Sequence, residues 1–183
     1  MNLNLHTPAG THISNFSFGT MQWGGKADAT DSRAMYDLAR AAGINFFDTA
    51  HGYTGGVSET LLGEFVAADR NDRFIATKCA SPMTRITSPA MAKVGCIPQA
   101  SALGDAAKEL GISPIMLAIA WVAHNPAITA PILSASKSSQ LQPSLDAMDY
   151  KLDAKLYARL TNLTPTPAPA TDRSEEASAG QTL

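Results

Sequence analysis

The chain is 183 residues long, which allows one domain with a sizeable core and little else. Hydrophobic residues make up 45% of the chain and charged residues 16%, below the ~25% typical of soluble domains, so most of it is predicted to fold. The formal net charge of -2 provides no basic field for nucleic acid or for an anionic membrane surface, and neither is an expected partner.

The cysteines and the N-terminus predict the compartment. Cys79 and Cys96 form no CxxC pair and no zinc-binding spacing, so no metal site is expected. Residues 1–6 lack a basic stretch followed by an apolar core, and no run approaches the ~20 apolar residues that a membrane span needs. We therefore predict a cytoplasmic protein.

The first 80 residues alternate strand and helix patterns. In chain order, the predicted elements are a hairpin around the turn at 7–10, a strand at 15–20, a helix capped by Thr30 or Asp31 and closed by Gly43, a strand at 44–47, a helix capped by Ser58, and a strand at 74–77. Connections this short favour parallel pairing, so the fold class is α/β.

The second half has a different organisation. Residues 81–100 carry three prolines and weak periodicity, which predicts an irregular linker. Order resumes near Ala102, and the tail at 164–183 is predicted to be disordered because it is rich in Pro, Thr, Ala and Ser without periodicity. The elements expected between them are helices at 102–110 and 115–124, a strand at 128–134, a helix at 138–148 and a last amphipathic helix around Leu152, Leu156 and Leu160. Residues 1–163 then form a single domain.

Three polar side chains follow two neighbouring predicted strands. Asp48 ends one strand, Tyr53 lies on the loop behind it, and Lys78 lies at the matching end of the next strand. The C-terminal ends of parallel strands share one face, so these side chains are expected to converge. A lysine ammonium beside a phenol favours its ionisation and makes it a better acid at neutral pH. A tyrosine of this kind can protonate a carbonyl oxygen while a nicotinamide delivers hydride, which predicts carbonyl reduction without a metal.

Several linked segments resemble the aldo-keto reductase family, in the usual order. They are Phe18–Gly25, Ala42–Ala50 with Tyr53, Gly56–Glu59 with Leu62 and Gly63, Ile75–Lys78, Leu117–Val122 and Pro131–Leu141. The resemblance implies a (β/α)8 TIM barrel, with Asp48, Tyr53 and Lys78 as catalytic residues. It also implies NADPH (NADP) as cofactor and a small carbonyl compound as substrate. The implied cofactor-binding residues are Gly19, Thr20, Asp48, Ser134, Ala135, Ser136, Lys137 and Gln140, with 134–137 facing the phosphates and Gln140 near the adenine.

The barrel that this resemblance implies is incomplete. A closed eight-stranded barrel takes ~250 residues, whereas this chain provides about four barrel strands, corresponding to the family's first three and last. The absent stretch includes the strand that presents a catalytic histidine in relatives. None of His6, His12, His51 and His124 stands in that context, so turnover is expected to be impaired. Two open sheet edges are also expected, and these invite pairing with a second copy as a homodimer, or aggregation.

Three functions remain open from the sequence. The first is an NADPH-dependent reductase of an aldehyde or ketone. The second is a non-catalytic NADPH-binding sensor or subunit, and the third is an inactive deletion remnant. Ser134–Lys137 could equally be an ordinary turn between a strand and a helix or a phosphate site at a helix N-terminus.

Overall fold

The computed structural model of the protein describes residues 5–79 and 96–163. At its centre is a four-stranded sheet in the order β3-β2-β1-β4, with every pairing parallel. The strands are β1 (Ser17–Gly19), β2 (Phe46–Asp48), β3 (Phe74–Ala76) and β4 (Ile132–Leu133). The strand from the second half of the chain thus lies beside the first strand. This arrangement confirms the predicted partial α/β barrel.

Six α-helices accompany the sheet in the described ranges, and the first two have N-caps other than those that the sequence predicted. They are α1 (Ala29–Ala41), α2 (Val57–Val66), α3 (Cys96–Leu110), α4 (Pro114–His124), α5 (Gln142–Asp146) and α6 (Ala154–Thr161). Asp28, rather than Thr30 or Asp31, caps α1 by accepting from the N–H of Asp31. Gly56 is the N-cap of α2, so the prediction of Ser58 as its cap was wrong. A left-handed Gly43 follows α1 as predicted.

The predicted linker and tail meet different outcomes. The tail at 164–183 and the linker residues 81–95 lie outside the described residues. The remainder of the linker prediction was wrong, because α3 already begins at Cys96, six positions before the expected Ala102. Pro98 lies in the first turn of that helix, where its missing N–H has no intrahelical partner to lose.

Prolines also shortened two elements of the second half. The strand expected at 128–134 is only Ile132–Leu133, since residues 125–128 form a turn and Pro131 has no N–H for a ladder. The helix expected at 138–148 is divided into a 3-10 turn at Ser138–Gln140 and the short α5, in whose first turn Pro143 lies. Both changes leave 134–140, which ends in that 3-10 turn, as the connection that directly follows β4.

The main core lies between the sheet and helices α1, α2 and α5. Phe18, Phe47 and Leu133 are buried on the sheet face that these helices cover. Trp23 and Tyr36 add an aromatic layer in which their rings meet edge to face, with centroids 6.5 Å apart. A second, smaller core joins α3, α4 and α6. The site below is therefore built on a well-packed sheet.

The N-terminal hairpin is present and lies at the opposite end of the strands from their C-terminal rim. His6 and His12 pair across it in an antiparallel bridge. Asn45, which precedes β2, accepts a hydrogen bond from the Ser14 N–H at 2.7 Å and donates one to the His12 carbonyl at 2.8 Å.

In the described part of the chain, no single helix is long and apolar enough to cross a membrane. The pair α3 and α4 passes that test only when joined across a 102° bend.

Candidate active site

Asp48, Tyr53 and Lys78 meet at the C-terminal rim of the sheet. The Lys78 ammonium lies 2.5 Å from Asp48 Oδ1 and 3.3 Å from the Tyr53 hydroxyl. Register explains the meeting, because Asp48 pairs with Ala76 and the chain continues from Ala76 to Lys78 along the same rim. The convergence that the sequence predicted for these three side chains is therefore present in the structure.

The Lys78 ammonium has a partner for each of its three N–H groups. Besides Asp48 and Tyr53, it donates to the Thr49 carbonyl at 3.1 Å. Partial burial lowers the pKa of Lys78, but the hydrogen bonds to Asp48 and Tyr53 outweigh this and hold the pKa above its usual value. Lys78 is thus a fixed cation that donates to the phenolic oxygen of Tyr53. The tyrosine proton remains free to be given to another acceptor.

The loop that carries Tyr53 has an unusual backbone. Thr54, Gly55 and Gly56 all have positive φ, at 51°, 68° and 96°. Thr54 is the only non-glycine residue in the described chain with this conformation, which side chains rarely adopt. Its hydroxyl is held at 2.8 Å from the Trp23 carbonyl and accepts from the Ser58 N–H at 3.1 Å. Local strain of this kind persists where surrounding contacts fix it, and here it sets the position of Tyr53.

Behind the rim lies a buried cluster of three hydroxyl groups, and the sequence did not predict that these groups contact one another. Thr20, Thr49 and Ser58 are all fully buried. Thr20 Oγ1 lies 2.9 Å from Thr49 Oγ1 and 2.8 Å from Ser58 Oγ, which also donates to the Thr20 carbonyl. The cluster ties β1, the end of β2 and α2 together behind Asp48. No single-residue pattern identifies it, because its members are 29 and 38 positions apart.

The cluster also encloses one residue that was predicted to bind the cofactor. Thr20 was expected to bind NADPH, but its side chain is enclosed by Thr49 and Ser58 and has no exposed surface. Its hydroxyl therefore braces the rim from within. Gly19 is next to it, and a Cβ there would lie 2.9 Å from a methyl group of Ile132 and 3.9 Å from the Cβ of Ser134. Gly19 thus allows β4 and its following loop to approach β1 closely.

The predicted cofactor loop follows β4 at the same rim. Ser134, Lys137 and Gln140 are exposed, while Ala135 and Ser136 are half-buried. Asp31 was not among the predicted site residues, yet its carboxylate accepts the Ser138 N–H at 2.9 Å. The hydrogen bonds from Ser138 lower the pKa of Asp31, and the nearby charge of Lys137 adds to the effect. The loop is therefore attached to α1 through an ionised carboxylate.

No histidine makes a hydrogen bond to Asp48, Tyr53 or Lys78 within the described ranges. His51 lies in the same loop as Tyr53, but its Nδ1 is 3.6 Å from Glu59 and its side chain is 78% exposed. His124 stacks on Tyr157, with ring centroids 4.7 Å apart, and His6 stacks on His12 in the hairpin.

Sequence comparison finds one family for almost the whole described chain. A sequence model of the Aldo/keto reductase family matches residues 15–99 and 97–164. An uncharacterized oxidoreductase of Bacillus subtilis is 35% identical over 69 residues, which is 38% of this chain and 21% of that protein. Norsolorinic acid reductase of Emericella nidulans is 40% identical over 90 residues, covering 44% and 23% respectively. The matched segments thus span about a fifth of the length of these relatives.

Solved structures share the fold at low identity. A thermostable aldo-keto reductase bound to the inhibitor epalrestat superposes with a TM-score of 0.66 at 16% identity, covering 90% of this chain and 100% of that one. An aldo/keto reductase of Klebsiella pneumoniae in complex with NADP and acetate gives 0.62 at 13% identity, covering 92% and 98%. These matches agree with the partial barrel.

Proposed function

The chain belongs to the aldo/keto reductase family, and we propose that it reduces the carbonyl group of an aldehyde or ketone with NADPH. The observation that carries the proposal is the Lys78 ammonium held between Asp48 and the Tyr53 hydroxyl at the strand ends. The relatives from Bacillus subtilis and Emericella nidulans are both oxidoreductases by name.

Tyr53 is the proton donor in the proposed reaction. Bound NADPH would supply hydride to the carbonyl carbon. As negative charge develops on the carbonyl oxygen, the Tyr53 hydroxyl gives it a proton, and the Lys78 ammonium stabilises the charge left on the phenolic oxygen. Asp48 and the Thr49 carbonyl hold Lys78 in the geometry this requires. The three side chains therefore work as one acid.

The loop at 134–140 has the donor chemistry for a phosphate-bearing cofactor. Exposed hydroxyl and ammonium groups on Ser134 and Lys137 can donate hydrogen bonds to phosphate oxygens, and Gln140 offers an amide further along. The close approach of β4 to Gly19 brings Ser134 to the rim that carries Asp48. Within the proposal, Ser134, Ala135, Ser136 and Lys137 face the phosphates, Gln140 lies near the adenine and Gly19 lies under the cofactor.

The test separates binding from turnover. NADPH fluorescence is titrated with the wild-type protein, and loss of NADPH absorbance is then followed with an aromatic aldehyde. We expect Tyr53→Phe to bind NADPH as the wild type does and to lose about 10²–10⁴-fold in kcat, the usual contribution of a general acid. Tyr157→Phe is the matched control and should keep full activity, since Tyr157 stacks on His124 away from the rim. Turnover that survives Tyr53→Phe would reject the proposed acid.

A second candidate is NADPH binding without turnover. It is favoured by the absence of a histidine partner for the trio in the described residues, since such a partner would orient the substrate carbonyl. A probable voltage-gated potassium channel subunit beta of rice is also 31% identical over 74 residues, covering 38% of this chain and 23% of that protein. Tight NADPH binding with no aldehyde-dependent oxidation would select this function. A remnant without function would show neither binding nor oxidation.

A cytoplasmic location forms part of the same proposal. Cys79 is an exposed free thiol one residue beyond Lys78. Free exposed thiols persist in reducing compartments and become oxidised elsewhere. NADPH-dependent reduction is also consistent with a reducing environment.

A further inference from the structure

We propose that the two open edges of the sheet, together with the apolar side chains beside them, are the interface with a second copy of this chain, which completes an eight-stranded barrel. The proposal concerns assembly and does not depend on the proposed reaction. In the strand order β3-β2-β1-β4, β3 and β4 are the two outer strands among the described residues.

The outer strands leave backbone groups for further pairing. Phe74 donates its N–H to β2, and Ala76 accepts from the Thr49 N–H with its carbonyl. Alternation along a strand therefore turns the N–H and C=O of Ile75 to the open edge. Pro131 likewise accepts from the Ser17 N–H, so the N–H and C=O of Ile132 face the open edge of β4. Unpaired edge groups of this kind are templates for another strand.

One face of the sheet is covered by helices and the other presents apolar side chains. Since Phe47 and Leu133 are buried under the helices, their neighbours Phe46 and Ile132 face the opposite side. Phe46 stacks edge to face on Phe74, with ring centroids 5.1 Å apart, and both are only half-buried. Ile132 is 58% exposed, the highest value among the large hydrophobic residues that the structure describes. Register places these three side chains in one row across the sheet, on either side of Ser17, which is itself fully buried.

A second copy satisfies both edges at once. All four strands are parallel, so a rotation of 180° about the barrel axis brings β3 of one copy beside β4 of the other with the strands still parallel. The same rotation pairs the remaining two edges, and the ring closes at eight strands, the number in the barrel of this fold. The row of Phe46, Phe74 and Ile132 then lies inside a closed core.

The segment between β3 and α3 is too short to supply further barrel strands with the helix that would connect them. A strand–helix–strand unit takes about 30 residues or more, and only residues 80–95 separate the two described ranges. A second copy provides four strands of the correct direction. It also places a second Asp48, Tyr53 and Lys78 set on the same rim of the assembly.

Sedimentation velocity at micromolar concentration tests the proposal. The wild type should sediment as a species with twice the 19.2 kDa mass of one chain. Ile132→Lys should weaken dimerisation on the order of a hundredfold, because it places an unpaired ammonium in the closed core. Ile115→Lys is the matched control, since Ile115 is 50% exposed on α4, and it should remain dimeric. Far-UV circular dichroism verifies that both variants are folded.

Amide hydrogen exchange of the wild type gives an independent readout if Ile132→Lys fails to fold. The amides of Ile75 and Ile132 should become protected as protein concentration rises. A wild-type monomer, species larger than a dimer, a dimer that persists in folded Ile132→Lys, or concentration-independent exchange at both amides would each overturn the proposal.

Discussion

The buried hydroxyl cluster behind the rim makes a quantitative prediction about stability. Ser58→Ala removes the hydrogen bond to the Thr20 carbonyl and the contact with Thr20 Oγ1. The carbonyl still accepts from the Trp23 N–H at 2.9 Å, and Thr20 Oγ1 still donates to Thr49 Oγ1. Because neither group of Thr20 is left without a partner, the loss is about 1 kcal/mol. Thr20→Val should cost more, about 1–3 kcal/mol, because it removes the donor to fully buried Thr49 Oγ1 and places a methyl group against two hydroxyls.

Urea unfolding followed by circular dichroism measures both changes at constant m-value. Ser101→Ala is the control, because Ser101 is exposed on α3 and its truncation should change the free energy of unfolding by less than about 0.5 kcal/mol. The double variant of Thr20 and Ser58 should lose less than the sum of the single losses, since both substitutions remove the same contact. The reasoning is refuted if Ser58→Ala costs more than Thr20→Val, or if the losses add within about 0.3 kcal/mol.

Two further predictions concern the cofactor loop and the packing next to the Tyr53 loop. Asp31→Asn keeps an oxygen acceptor for the Ser138 N–H but removes a negative charge beside the predicted phosphate site. NADPH should therefore bind a few-fold more tightly to this variant in a fluorescence titration at low salt. Unchanged or weaker binding would contradict the placement of the phosphates at this loop. Gly24→Ala should destabilise the protein by more than Gly43→Ala in thermal unfolding. Both glycines have positive φ, which costs a non-glycine residue about 1–2 kcal/mol. Only at Gly24 would the new Cβ also lie too close to another side chain, 2.3 Å from a methyl carbon of Val57. Equal losses of stability would show that this contact is relieved without cost.

The order of the first three strands and the convergence of Asp48, Tyr53 and Lys78 were predictable because both depend on short-range sequence signals. Apolar runs that end in Asp48 and Lys78 mark the C-terminal ends of neighbouring strands, and parallel pairing then brings those ends to one rim. The order with β4 beside β1 came from the family resemblance and not from periodicity, because the two residues of β4 are too few to show a period. Local pattern and family resemblance therefore supplied different parts of the fold.

Helix starts and hydroxyl positions were harder to predict because several residue types can occupy them. Ser58 fits an N-cap by type, yet Gly56 takes that position because its φ of 96° suits glycine. Ser58 moves into the first turn, where its hydroxyl is buried against Thr20. Asp28 likewise caps α1 in place of Asp31. The carboxylate of Asp31 instead accepts a hydrogen bond from Ser138, 107 positions away. Long-range contacts of this kind depend on tertiary packing and leave no mark in the local sequence.

The position of the trio depends on a short, continuous part of the chain. Asp48, Tyr53 and Lys78 lie within 31 consecutive residues, and their hydrogen bonds involve only β2, β3 and the loop between β2 and α2. The bracing hydroxyls come from the same region and from β1 next to it. No contact in this set requires a strand beyond β1–β3. An incomplete barrel can therefore hold these three side chains together.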